Sequence, residues 1–228
     1  MKTIADHWKL IQENIQRVSK KQNVTVVAIS KKQTFAKIQE AYDLGVRHFG
    51  ENYVQEALPK ILESKTMGLD IQWHFVGALQ TNKMNKIVPA VHYLHAIDSL
   101  SQIEKLEKMQ EKGILIPKLL VQLNVAGEAT KSGLEENEIQ TFMNYISENT
   151  KLDVSGLMTC PPLQTDPEKN RPFFARLNLW KEKINDWNLP RVQISDLSMG
   201  VSNDYLVAIE EGATLIRLGE AIFGPRQQ

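Results

Sequence analysis

A single cysteine, Cys160, stands among 228 residues. An intramolecular disulfide is therefore excluded, and the usage fits a reducing compartment. No charge of one sign is in excess: 27 Lys and Arg balance 27 Asp and Glu, for a formal net charge of zero. That balance supplies no basic stripe for nucleic acid and no acidic tail. Long apolar runs are missing, and none approaches the length that spans a bilayer. The opening residues, Met1 to Trp8, lack the apolar stretch of a signal peptide. No linker, low-complexity tract or exact internal repeat interrupts the chain. These absences predict a soluble cytoplasmic protein, one domain over residues 1–228, with neither a membrane nor a nucleic acid as partner.

What the chain does have is alternation. Ile4, Trp8, Ile11, Ile15 and Val18 recur at helical spacing, so the chain opens on an amphipathic helix that docks on its own domain. Strand-like segments follow at Val24–Ser30, Arg47–Gly50, Gln72–Gly77, Val91–Ala96, Lys118–Asn124, Val154–Met158, Arg191–Ser195 and Thr214–Leu218. Helical stretches such as Phe35–Leu44, Leu100–Lys112, Glu135–Asn149 and Glu168–Asn188 separate them. Eight strand–helix repeats predict an α/β fold, a single-domain (β/α)8 TIM barrel with an extra N-terminal helix. An open doubly wound sheet is the rival.

The first strand ends in an unusual pair. Val24–Ser30 is β-branched and almost wholly apolar, as a strand buried on both faces would be. Counting by twos places Lys31 on the face of Thr25, Val27 and Ile29. A lysine there is costly unless its charge is compensated or its amine is consumed. Burial also favours the neutral amine that attacks a carbonyl, so Lys31 is a candidate Schiff-base lysine. Lys32 has the opposite parity and reads as a solvated loop charge.

Other distinctive residues also fall at strand ends, which form the active-site face of an α/β barrel. They include Glu51-Asn52-Tyr53, Asn124, Thr159-Cys160, Ser198 to Asp204, and Arg217 to Glu220. Gly200, Ser202 and Gly219 permit close backbone approach, and Ser202 is placed to start a helix at Asp204–Glu211. A phosphate site and ordinary glycine turns both fit that pattern. Arg217 sits in an apolar strand and needs an acceptor, either a ligand or a structural partner.

Several residues invite readings that their context does not support. His92 and His95 lie on opposite strand faces, and no cysteine or carboxylate cluster completes a metal set. His74, between Trp73 and Phe75, reads as a packed histidine. Cys160 has no recognisable histidine beside it and reads as an incidental small thiol.

The segments Val26 to Lys31, His48 to Ala57, Trp73 to Gly77 and Leu79 to Lys83 closely resemble the pyridoxal phosphate homeostasis proteins. So do Gly127-Glu128, Lys131-Ser132-Gly133, Gly156 to Thr159, Leu197 to Asp204 and Ile216 to Gly224. The resemblance runs in order along essentially the whole chain. It implies a barrel similar to the N-terminal domain of alanine racemase, with pyridoxal 5′-phosphate (PLP) carried as an internal aldimine on Lys31. Ser202 and the backbone at Gly219 and Glu220 would hold the phosphate. Arg217 would face the pyridine nitrogen, and Asn52 would lie near the ring. The family usually carries a small hydroxyl residue where Glu220 stands, so only a backbone contact is implied there.

A cationic Arg217 disfavours protonation of the pyridine nitrogen, which weakens the ring as an electron sink. The implied role is a monomeric PLP-binding protein of intracellular PLP homeostasis, with apo PLP-dependent enzymes as possible recipients. The alternative is a PLP-dependent amino-acid racemase. A racemase working on both faces of an aldimine needs two bases, and in the alanine racemase family a separate C-terminal domain supplies the second. The chain ends at Gln228, just after the eighth strand, so the expectation is that this domain is absent.

Overall fold

Residues Thr25–Ile29 form β1, which pairs in parallel with β2 (His48–Glu51) on one side and β8 (Leu215–Leu218) on the other. The computed structural model describes residues 3–19, 23–127 and 132–225. Between those neighbours run β3 (Gln72–Phe75), β4 (Tyr93–Ile97), β5 (Lys118–Gln122), β6 (Val154–Met158) and β7 (Val192–Val201). Each strand pairs in parallel with the next, and the eight strands of the described residues close into a barrel in sequence order. Closure leaves no sheet edge, so every strand has two hydrogen-bonding neighbours.

The α-helices of the described residues are α1 (Ile4–Val18), α2 (Phe35–Asp43), α3 (Val54–Thr66), α4 (Met84–Ile87), α5 (Leu100–Glu111), α6 (Ile139–Asn149), α7 (Arg171–Asp186), α8 (Tyr205–Glu210) and α9 (Glu220–Phe223), with short 3-10 turns at Thr81–Lys83, Val88–Ala90 and Pro167–Asn170. The (β/α)8 barrel and its extra N-terminal helix are as the alternating pattern predicts. Thr3 and Asp6 form a reciprocal capping box that starts α1. Ile4 and Ile11 are buried, and Trp8, Ile15 and Val18 pack partly against the same core. The helix docks on its own domain: Asn14 donates to the Tyr205 hydroxyl at 3.1 Å, and His7 Nδ1 lies 3.0 Å from the Ile222 carbonyl.

Strand parity sorts side chains into two layers. Val26, Ala28, Phe49, Trp73, Phe75, Leu94, Ile216 and Leu218 face outward into the large core beneath the helices. Full burial of a Leu, Ile or Phe side chain among these contributes roughly 1.5–3 kcal/mol relative to exposure. Val27, Leu120, Met158 and Leu215 form a smaller cluster inside the barrel, with Ile29 and Tyr93 packed against it. The inner layer is therefore only partly apolar. It shares the interior with buried His74, His95, Ser198 and Arg217.

β7 departs from the sequence expectation. It runs to Val201 rather than stopping at Ser195. Asp196, Ser198 and Gly200 resemble loop residues in the sequence, yet Asp196 accepts from Thr214 Oγ1 and Ser198 bonds inside the barrel. The pairing with β8 shifts register between Ser198 and Val201, which re-aims the strand end toward the mouth.

Candidate functional site

A cavity of about 450 Å³ opens at the C-terminal end of the strands. Its lining includes Lys31, Asn52, Ser202, Arg217, Gly219 and Glu220, six residues spread over 190 positions of sequence. Ile29, Gln33, Val76, Met158, Cys160, Leu163, Val201, Asn203 and Gly224 complete the wall. The volume lies in the range of small-ligand sites.

Lys31 stands two residues beyond β1, half-buried, on the parity of the inward-facing Val27 and Ile29. Lys32 takes a left-handed backbone with φ of 60° and is exposed. Its amide donates to Glu56 Oε2 at 2.7 Å, and it is absent from the cavity wall. The turn therefore separates the two lysines as strand parity suggests.

Behind Lys31 lies a buried polar cluster that the sequence reading missed. Lys60 on α3 donates to the Ser30 carbonyl at 2.8 Å and to Glu51 Oε1 at 2.7 Å. Ser30 Oγ donates to the same Glu51 oxygen at 2.6 Å. Burial raises the Glu51 carboxyl above its ordinary range, and the bonds from Lys60 and Ser30 oppose that shift. Ser30 and Glu51 have the outward parity of Ala28 and Phe49, which is the available signal that they meet a helix rather than the cavity.

Asn52 follows directly. Its Oδ1 is buried and has no hydrogen-bond partner among the described residues, although it belongs to a cavity-lining side chain. A buried acceptor of this kind is costly unless a ligand or water completes it. The backbone of Asn52 is pressed against Gly77. A Cβ at Gly77 would lie 2.1 Å from the Asn52 carbonyl oxygen, so any larger residue there displaces the Asn52 segment.

Ser202 is not the start of α8; Asp204 occupies the N-cap position. Ser202 Oγ instead accepts from the amides of Gly219 at 3.3 Å and Ala221 at 3.1 Å, tying the end of β7 to the turn after β8. Asp204 accepts from the Val201 amide and from Asn170 Nδ2, each at 2.7 Å. Asn203 Nδ2 donates to the Gln164 carbonyl at 2.7 Å, so the segment is pinned on both sides of Ser202. Gly200 serves packing rather than the cavity. Its φ is 87°, and a Cβ there would meet Ala208 Cβ at 2.6 Å on α8.

Arg217 enters the barrel interior on the parity of Leu215. Its Nη1 donates to Ser198 Oγ at 2.7 Å and its Nη2 to the Thr159 carbonyl at 2.9 Å. The buried guanidinium thus has structural acceptors and still lines the cavity. The structural partner that the sequence called for is present, in a side chain that also stands in the cavity wall.

Cys160 is exposed at the rim. His92 stands just before β4 and accepts from the Trp73 amide through Nδ1 at 2.9 Å. No group of three potential metal ligands occurs among the described residues. No helix among them is long and apolar enough to cross a membrane. Glu128 and Lys131 lie outside the described residues. Ser132 and Gly133 beside them are held by Gln122 Nε2 on the Ser132 carbonyl at 2.7 Å and by the Gly133 amide on Asp98 Oδ2 at 3.1 Å.

The model of the alanine racemase N-terminal domain matches residues 7–227. The pyridoxal phosphate homeostasis protein of Aquifex aeolicus is 36% identical over 219 residues, covering 95% of this chain and 94% of its own length. That of Synechocystis is 38% identical over 204 residues, covering 90% and 92%. Among solved structures, PipY of Synechococcus elongatus with PLP bound superposes with a TM-score of 0.86 at 31% identity, over 97% of this chain and 100% of that one. Similarity at this level spans the barrel, the added helix and every strand end that builds the cavity, and the chain belongs to the pyridoxal phosphate homeostasis proteins, a family built on the alanine racemase N-terminal domain.

Proposed function

We propose that this chain binds PLP at the barrel mouth and holds it for intracellular PLP homeostasis. The observation that carries the reading is the convergence of Lys31 and Arg217 in one cavity of small-ligand size. The unpartnered Asn52 Oδ1 in the same wall supports it, because a bound ligand would complete a buried acceptor. The PLP-bound relative, PipY, supports the choice of ligand.

When bound, PLP supplies an aldehyde that an amine captures and a ring that accepts electrons. In this reading Lys31 holds the molecule covalently through Nζ. Ser202 and the backbone at Gly219 and Glu220 take the phosphate, with the Ser202 hydroxyl hydrogen pointing to the anion while its oxygen keeps the Gly219 and Ala221 amides in place. Asn52 orients the ring, and Arg217 faces its nitrogen. A permanent cation at that nitrogen keeps it unprotonated, which favours holding the molecule over carbanion chemistry. The protein acts as a cytoplasmic monomer of one domain over residues 1–228, with apo PLP-dependent enzymes as recipients.

The racemase alternative needs a second base facing the substrate opposite Lys31. Apart from Lys31, the titratable side chains of the wall are Cys160, Arg217 and Glu220, with no tyrosine or histidine among the described lining residues. The deciding experiment is an absorption spectrum of the purified chain before and after borohydride, with peptide mapping of the modified residue. Visible absorption lost on reduction supports the reading; colourless protein that stays unmodified after PLP is added refutes it. In the same preparation, racemisation of alanine or another amino acid at about 1 per second or faster would favour the enzyme instead.

A further inference from the structure

A line of hydrogen bonds runs through the barrel interior from Arg217 to the opposite rim. Arg217 Nη1 donates to Ser198 Oγ at 2.7 Å, and Ser198 Oγ lies 2.8 Å from His95 Nδ1. His95 Nε2 is 2.8 Å from His74 Nδ1, and His74 Nε2 is 2.9 Å from His48 Nδ1. His48 begins β2 and is half-buried, at the end of the barrel away from the cavity. The Tyr93 ring stacks on His74 at 4.1 Å with an interplanar angle of 8°, which fixes the plane of that imidazole.

Chemistry gives this line a direction. A guanidinium donates and never accepts. Ser198 is wholly buried, so its single hydroxyl proton needs an acceptor, and the one within reach among the described residues is His95 Nδ1. A neutral imidazole has one donor and one acceptor nitrogen. If His95 accepts at Nδ1, it donates from Nε2 to His74 Nδ1, and His74 then donates from Nε2 to His48. Every proton in the line points away from Arg217. The groups facing the line are cationic or neutral: Arg217 at His95, and Tyr93, His92 and Lys118 at His74 and His48. The carboxylate of Asp196 accepts from Thr214 Oγ1 at 3.1 Å and acts electrostatically on Lys118. The rings therefore stay neutral, which the direction of the line requires.

We propose that Ser198, His95 and His74 are positioning residues for Arg217, a one-way donor line that fixes how the guanidinium meets a ligand in the cavity. With Nη1 held by Ser198 and Nη2 by the Thr159 carbonyl, rotation of the fork is blocked while the side chain stands in the cavity wall. A lysine at 217 has no planar fork with which to do both. The inference rests on the PLP reading only for what Arg217 faces.

Two measurements test it. In the full chain without PLP, labelled with ¹⁵N in its imidazoles, His95 and His74 should be neutral near pH 7, protonated at Nε2 and bare at Nδ1. A proton on Nδ1 of His95 would break the line and overturn the proposal. In the PLP-loaded chain, Ser198→Ala should weaken PLP binding about tenfold, the loss of one hydrogen bond to a charged group. It should also move the pH midpoint of the visible absorption by about one pH unit or more, and Ser198→Thr should restore the native midpoint. An unmoved midpoint in Ser198→Ala overturns the positioning role even if binding weakens. Should the native chain take up no PLP, the cofactor reading fails, and the imidazole tautomers still decide the line.

Discussion

Lys60 donates its ammonium to the carbonyl of Ser30 at 2.8 Å, one residue before Lys31. The same ammonium meets Glu51 Oε1 at 2.7 Å, one residue before Asn52. One side chain from α3 therefore anchors two strand ends that carry cavity residues. The three groups are buried or nearly so, which makes the cluster costly to disturb.

Lys60→Met should lower stability by about 3 kcal/mol or more, because it leaves the buried Glu51 without its cationic partner. Lys60→Met combined with Glu51→Gln should recover much of that loss. Urea denaturation of the single and double variants checks both statements. A double variant no more stable than Lys60→Met would mean that the ion pair is not the source of the effect.

Covalent attachment separates the two adjacent lysines. After incubation with PLP and borohydride, the pyridoxyl group should map to Lys31. Lys31→Ala should lose it, and Lys32→Ala should keep it, since Lys32 turns outward on a left-handed backbone. Modification on Lys32, or its loss in Lys32→Ala, would contradict the assignment.

Ser202→Ala should weaken PLP binding by roughly 1.5–3 kcal/mol, the worth of a hydrogen bond to a charged group. It also removes the acceptor for the Gly219 and Ala221 amides. Titration of PLP by absorbance reads the loss, and circular dichroism checks that the barrel persists. An unchanged titration would remove Ser202 from the site.

Acid should destabilise the barrel through its interior histidines. Burial, then cationic neighbours, hold His74 and His95 well below the ordinary imidazole value of 6.5. In the unfolded chain they titrate near that value, so below it the unfolded state binds protons that the folded state refuses. Their contribution is complete above about pH 6.5 and is lost as pH falls, by up to roughly 1.4 kcal/mol per pH unit for each ring. Glu51, raised by burial, acts with the opposite sign and makes the slope shallower. Urea midpoints should rise from about pH 5 to about pH 7 and rise less in His74→Gln. Midpoints that fall over this range would show that the rings are charged in the folded state.

Much of this architecture was legible in the chain itself. β-branched runs separated by helical periods point to parallel strands and eight of them to a barrel, while the pairing of β1 with β8 decides against the open sheet. Parity along Thr25–Ile29 places Lys31 toward the interior and Lys32 outside, because successive side chains of a strand alternate faces. The strand-end residues Asn52, Ser202, Arg217, Gly219 and Glu220 follow from the same rule once the barrel is granted, since all strand C-termini open on one mouth.

Tertiary structure decided which polar groups meet. Nothing local tells that Ser198 continues a strand rather than opening a loop; the hydrogen bonds that retain it there come from His95 and Arg217, 103 and 19 residues away. Ser202 looked like a helix start, but its oxygen is claimed by the amides of the next strand's turn. Nothing in the sequence pairs Lys60 with Glu51; packing of α3 on β2 brings them together and closes them from water. Hydrophobic period is a local property and is written in the sequence, whereas pairing of buried donors and acceptors depends on distances set only when the barrel closes.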